Sequence, residues 1–230
     1  MRPDPECNLR VGGLTALSTT DYPGRLAAVI FCQGCPWRCA YCHNPHLLPR
    51  HGEHGPAWTD IMAFLERRRG LLDAVVFSGG EPTLQSELPD AIREVRTMGY
   101  MIGLHTAGIY PRRLRAVLPL LNWVGMDIKA PFDDYASVTG AAGSGARARE
   151  CMELIIASGI DHEFRTTVQP SLLPAPQLLA LAQDLAVRGV RHYALQECRE
   201  PGTAPIASRL PEALCHTIAG MFPVLAVRRA

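Results

Sequence analysis

The sequence predicts an α/β protein in which βα units repeat around a parallel sheet. Short β-rich apolar runs alternate with longer helical patterns, giving about six strands. Gly70, Gly99, Gly159 and Gly189 each follow a helical pattern, where a left-handed residue is useful, and each precedes a strand. The 230 residues are ample for one cored domain and short for two, so a single domain over 1–230 is expected.

The elements follow in order. Residues 26–31, LAAVIF, are a continuous apolar run of strand length, and Thr59 or Asp60 caps a helix over 59–69. That helix ends in Glu66-Arg-Arg-Arg69, with cations at the negative end of its dipole. Further strands are predicted over 74–77, 100–105, 123–128, 162–168 and 192–196. Helices are predicted over 87–98, 111–118, 146–158, 176–188 and 211–221. Periodicity does not choose between an open doubly wound sheet and a full or partial barrel. In either, function gathers at the carboxyl ends of the strands.

A net charge of +1 gives no general attraction to nucleic acid or to an anionic membrane. The N-terminal residues lack an apolar signal core and no apolar run approaches bilayer length, so a cytoplasmic protein is expected. In reducing cytosol the eight cysteines point to metal ligation or buried thiols rather than disulfides.

Cys35-Pro-Trp-Arg-Cys39-Ala-Tyr-Cys42 places three thiols on one short loop, one fewer than a closed four-coordinate site needs. The competing reading takes Cys32 as a fourth ligand and makes the chain a zinc-stabilised binding module. These cysteines occupy eleven successive residues, however, whereas zinc clips join separate knuckles, and the iron-sulfur reading is favoured. Other strand ends carry Ser78-Gly-Gly-Glu81, His105-Thr106, Asp127-Ile-Lys129, Arg165 and Gln196. On a strand, Asp127 and Lys129 share one face. Cys7, Cys151, Cys198 and Cys215 lack ligand spacing and are read as structural; His46, His51 and His54 are read as a solvated loop.

The cysteine spacing followed by Gly79-Gly80-Glu81 resembles the radical S-adenosylmethionine (SAM) superfamily. Asp21-Tyr-Pro-Gly24, Gln33-Gly-Cys35, Cys42-His-Asn-Pro45, Ser78-Gly-Gly-Glu-Pro-Thr83, Asp127-Ile-Lys129 and Phe164-Arg-Thr-Thr167 are together similar to anaerobic ribonucleoside-triphosphate reductase activating proteins. The similarity runs over about residues 12–196.

The resemblance implies a partial (β/α)6 barrel core over about 12–196 with a C-terminal helical extension over about 197–230. It implies one [4Fe-4S] cluster held by Cys35, Cys39 and Cys42, its fourth iron left for SAM, and Cys32 as a bystander. Reductive cleavage of SAM would yield a 5′-deoxyadenosyl radical that takes hydrogen from a glycine of the reductase. Gly79 and Gly80 would approach the methionine part, with Glu81 at its ammonium. Tyr41 would pack the adenine, Lys129 would bind the carboxylate, and Arg165 would hold carboxylate or ribose. A flavodoxin or ferredoxin-type electron donor is also implied. Another glycyl-radical enzyme, or a small molecule such as that of 7-carboxy-7-deazaguanine synthase, is the alternative substrate. One departure stands out: related activases end the third strand with an Asp that helps bind a monovalent cation beside SAM, and this chain has His105, with Thr106 and Asp127 still available.

Overall fold

The computed structural model describes residues 7–51, 55–198 and 210–229. Its elements run β1 (Val11–Ser18), β2 (Ala27–Cys32), α1 (Trp58–Glu66), β3 (Ala74–Gly79), α2 (Leu88–Thr97), β4 (Met101–Thr106), α3 (Pro111–Val117) and β5 (Trp123–Asp127). They continue with α4 (Tyr135–Thr139), α5 (Ser144–Ser158), β6 (Asp161–Val168), α6 (Ala175–Val187), β7 (His192–Glu197), α7 (Glu212–Ala219) and β8 (Val224–Arg228). Strand order in the single sheet follows chain order. β1 lies antiparallel to β2, and every later pair is parallel.

Adding each parallel strand beside its predecessor keeps every helical crossover on one side, because such connections share one hand. The sheet therefore curls into a barrel wall. No ladder joins β1 to β8 among the described residues, so the wall is open. The six anticipated strands are β2 to β7. Two strands were not anticipated: β1, and β8 at the end of the extension expected to be helical. Helix α1 is shorter than the predicted 59–69, since Arg67 to Gly70 form turns. His54, in the loop expected to be solvated, lies outside the described residues. Among the described residues no helix is long and apolar enough to cross a membrane.

Alternation along the strands separates two cores. Ala28, Ile30 and Cys32 of β2, Val75 and Phe77 of β3, and Val124 and Met126 of β5 face the helices in the larger core. Ala27 and Val29, Ala74 and Val76, and Trp123 face inward, where they meet Tyr22. With both faces covered, these strands read as unbroken apolar runs. Tyr22 and Trp123 plug the barrel floor with ring centroids 5.3 Å apart. Gly103 makes room for that plug, since a Cβ there would lie 3.1 Å from the Tyr22 ring. Period-two alternation then puts Ser78, His105, Asp127, Arg165 and Thr167 on the same inner face, above the floor.

Candidate active site

The upper end of the barrel holds a cavity of about 240 Å³ lined by Cys35, Cys39 and Cys42 with Ser78, Gly79, Gly80, His105, Thr106, Asp127, Lys129 and Arg165. The structure thus brings together all of the candidate site residues except one, since Tyr41 also lines it and Glu81 does not. Cys32 is absent from the lining for a reason of parity: its side chain points with Ala28 and Ile30 into the helix-facing core and is fully buried. A four-thiolate zinc centre would need it.

The loop bearing the three thiols is tied down on both sides. Arg38 N–H donates to Thr139 O at 2.9 Å and Ala40 N–H to Val138 O at 3.1 Å, stapling the loop to α4. Gly34 N–H and Cys35 N–H donate to Leu47 O and Leu48 O on the other flank. Helix α4 in turn fixes the end of β5: the Tyr135 hydroxyl accepts from Lys129 N–H at 3.0 Å and donates to Asp127 O at 3.2 Å. The Trp37 ring stands edge-on to Tyr135 at 5.9 Å, linking the two.

Gly79 and Gly80 line the cavity, and the packing of the backbone gives them a further reason for lacking side chains. A Cβ on Gly80 would lie 2.3 Å from Gly34 O, and one on Gly79 would lie 2.4 Å from Cys32 N, with φ at +113°. Bare glycines allow the end of β3 to press its backbone against the turn that launches the cysteine loop. Gly80 N–H donates to Cys32 O and Glu81 N–H to Gly34 O, which completes that clamp.

Glu81 was expected at the ammonium of SAM, but it is fully buried beneath the cavity. Its carboxylate accepts from Thr83 N–H at 3.1 Å, the Thr83 hydroxyl, the Thr106 hydroxyl at 2.8 Å and Ala107 N–H at 2.8 Å. Burial raises its pKa, against the opposing effect of these donors. It buttresses the β3 and β4 ends rather than facing a ligand.

Asp127, Lys129 and Arg165 form one charged group. Asp127 Oδ2 lies 3.3 Å from Lys129 Nζ, and Oδ1 lies 3.2 Å from Arg165 Nε. Burial raises the Asp127 pKa, but Lys129 and Arg165 outweigh it and hold the carboxyl down at about 2. Lys129 Nζ also sits 5.7 Å from the centre of the Tyr41 ring. Gly125 leaves the space for Arg165, whose guanidinium carbon would lie 3.1 Å from a Cβ there.

His105 lies on the adjoining strand. Its Nε2 is 2.8 Å from Asp21 O, which can only accept, and 3.2 Å from Arg165 Nη1, which can only donate, while Nδ1 lies 3.3 Å from the Ser78 hydroxyl. Burial first, and then the Arg165 charge, push its pKa down to about 3 from 6.5. On acidification the unfolded chain therefore takes up a proton before the folded one. The contribution of His105 is intact above pH 6.5 and is lost as pH falls from 6.5 through about 3. The stability advantage of the wild type over His105→Asn should accordingly shrink between pH 7 and roughly pH 4 in urea unfolding. A constant difference across that range would contradict a buried neutral imidazole.

Burial lifts the Cys35 thiol to about 12 and raises that of Cys39, so loading a metal centre here releases protons. Among the described residues no three His, Cys, Asp or Glu side chains gather tightly enough for a single metal ion. The three thiols instead border a common cavity, an arrangement suited to a cubic cluster whose irons occupy separate corners. Two further buried polar atoms belong to residues of the lining and lack a hydrogen-bond partner, Trp37 Nε1 and the Tyr41 hydroxyl. Trp37 was not anticipated as a lining residue, although an aromatic between two ligand cysteines was a readable signal. Asp21, His43 and Thr167 also line the cavity, and Cys198 Sγ stands 3.9 Å from His43 Nε2.

Comparison with known proteins bears directly on this cavity. A Methanocaldococcus jannaschii protein assigned as a glycyl-radical enzyme activating enzyme is 29% identical over 194 residues, covering 81% of this chain and 79% of that one. The pyruvate formate-lyase-activating enzyme of Clostridium pasteurianum is 33% identical over 137 residues, covering 57% of each chain. The fold is similar to that of QueE from Escherichia coli, with a TM-score of 0.58, 18% identity, and coverage of 97% and 95%. Residues 29–175 match the model of the Radical SAM superfamily, and that span runs from β2 past the cysteine loop, the Gly-Gly-Glu clamp and the Asp127–Lys129–Arg165 group. The chain therefore belongs to the radical SAM superfamily and is an enzyme whose cofactors are a [4Fe-4S] cluster and SAM.

Proposed function

We propose that this enzyme is the activase of an anaerobic ribonucleoside-triphosphate reductase, placing a glycyl radical on that partner. The observation that carries the reading is the alignment with a protein assigned as a glycyl-radical activating enzyme over most of both chains. The motif resemblance, including Cys42-His-Asn-Pro45 and Phe164-Arg-Thr-Thr167, narrows it to the reductase.

Cys35, Cys39 and Cys42 would hold three irons of the cluster, and Lys129 and Arg165 would supply cationic donors for the SAM carboxylate. Tyr41, which lines the cavity beside Lys129, would pack against the remainder of SAM. When bound, the cluster and SAM supply one-electron cleavage chemistry that ends in removal of a hydrogen atom from the substrate. The protein's own part is to orient and to exclude water. The plugged floor of Tyr22 and Trp123 closes the cavity from below, which leaves the open upper end for a polypeptide. Glycine suits such an entry because its bare Cα reaches inward without a side-chain clash. A flavodoxin or ferredoxin-type donor would reduce the cluster across the outer surface of the cysteine loop.

Anaerobic incubation of the reduced protein with SAM and the reductase should yield 5′-deoxyadenosine together with a glycyl doublet in electron paramagnetic resonance. Formation of 5′-deoxyadenosine without any radical on the reductase would reject this partner in favour of another substrate.

A further inference from the structure

The resemblance to glycyl-radical activases implies a monovalent cation beside SAM, and the residues at that place do not fit one. An alkali cation needs several oxygen donors with free lone pairs. The position concerned, near the end of β4, is His105, a nitrogen ligand whose Nε2 faces Asp21 O and whose Nδ1 faces the Ser78 hydroxyl. The Thr106 hydroxyl donates to Glu81 and accepts from Gly108 N–H at 3.0 Å. Both oxygens of Asp127 are taken, one by Lys129 and the other by Arg165. Asp21 lines the cavity as well: its Oδ2 accepts from the Ser18 hydroxyl, and its Oδ1, 3.9 Å from His105 Nδ1, is a single carboxylate oxygen where an alkali ion needs several.

What fills the gap between His105 and Asp127 is a side chain. Arg165 reaches inward from β6 with Nη1 3.2 Å from His105 Nε2 and with Nε and Nη2 each 3.2 Å from Asp127 Oδ1. Its side chain is only 10% exposed, and a guanidinium stays charged at any working pH. Facing a positive group, His105 is better neutral than protonated, and Arg165 already balances the Asp127 charge that a free cation would otherwise meet. Gly125 supplies the room, since any Cβ there would press on the Arg165 guanidinium.

We propose that Arg165 is a tethered counter-cation for Asp127, so that SAM binding by this enzyme requires no free monovalent cation. The proposal rests on the reading that SAM occupies this cavity and is independent of which protein receives the radical. Ordinary activity assays with the reductase would confuse the two, so the test is equilibrium binding.

Equilibrium dialysis of labelled SAM against the cluster-loaded protein should give the same Kd, within about twofold, in potassium, sodium, lithium and tetramethylammonium chloride at equal ionic strength. A saturable tightening of roughly tenfold or more by one alkali ion in the wild type would overturn the proposal. This arm needs no variant. In a second arm, Arg165→Met should weaken SAM binding about tenfold or more, with Arg165→Lys recovering part of the loss. The double variant Arg165→Met, His105→Asp should bind SAM tightly only with potassium present, and should broaden the thallium(I) resonance where the wild type does not. A double variant that binds SAM as the wild type does in tetramethylammonium chloride would show that no cation, tethered or free, is needed there, and would equally overturn the proposal.

Discussion

Replacing Cys35, Cys39 or Cys42 by Ala is expected to abolish SAM cleavage, a loss of at least about a thousandfold, whereas Cys32→Ala should leave it within a few-fold of wild type. The contrast follows from strand parity. Cys32 is the last residue of β2 and shares its outward face with Ala28 and Ile30, while the other three leave the strand and border the cavity. Ala at 32 removes one buried sulfur from a packed core, a cost of about 1 kcal/mol that leaves the loop unmoved. Iron analysis of anaerobically purified protein separates the readings without an activity assay. Each of the three ligand variants should fall well below the wild-type content of about four irons per chain, and Cys32→Ala should match it. A Cys32→Ala protein that loses its metal, or a colourless wild type with one zinc, would reinstate the zinc reading.

The parts of this molecule that were legible in the sequence are those where local pattern and tertiary role coincide. β2 to β5 are largely buried on both faces and read as short apolar runs, while β3, β4, β6 and β7 each follow a helix whose exit carries a glycine. β1 was illegible because Val-Gly-Gly-Leu-Thr-Ala-Leu-Ser has two glycines and a half-exposed pattern, and its strand state comes from antiparallel pairing with β2. β8 is five partly exposed residues after a helix and a proline, held by its ladder to β7 and by Arg228, whose guanidinium grips Glu163 with two bonds of 2.7 and 3.0 Å. Glu163 is 65 residues from Arg228, beyond the reach of any local pattern.

In the site, charge pattern and spacing located the Asp127–Lys129 pair, because alternation along a strand is a local property. The third member, Arg165, reaches that pair from the neighbouring strand through register, with Asp127 opposite Arg165. What spacing did not resolve is the Gly-Gly-Glu run, whose two glycines line the cavity and also form a backbone clamp, while Glu81 lies beneath it. The approach of Gly80 to Gly34 and the depth of Glu81 are tertiary facts that no local pattern carries.

Glu81 provides the sharpest test of that distinction. Four donors converge on its buried carboxylate, from Thr83 twice, Thr106 and Ala107, and Glu81→Ala leaves all four without an acceptor. At about 1–3 kcal/mol for each buried group left unpaired, and with some relaxation, a loss of about 3 kcal/mol or more is expected. For a chain of this length that lowers Tm by on the order of 10 °C. Glu81→Gln is the more discriminating variant. Its amide oxygen can still accept from the threonines, but its NH2 group meets the Ala107 N–H, donor against donor, at a cost of about 1–3 kcal/mol. A buttress predicts lowered Tm for both variants and, well below Tm, a SAM Kd for the Gln protein within a few-fold of wild type. A carboxylate that grips the SAM ammonium predicts the reverse: Kd weakened about tenfold or more by Gln while Tm holds. Calorimetry and SAM binding on the same two proteins decide between them, and the first pattern is expected because the carboxylate has no face toward the cavity.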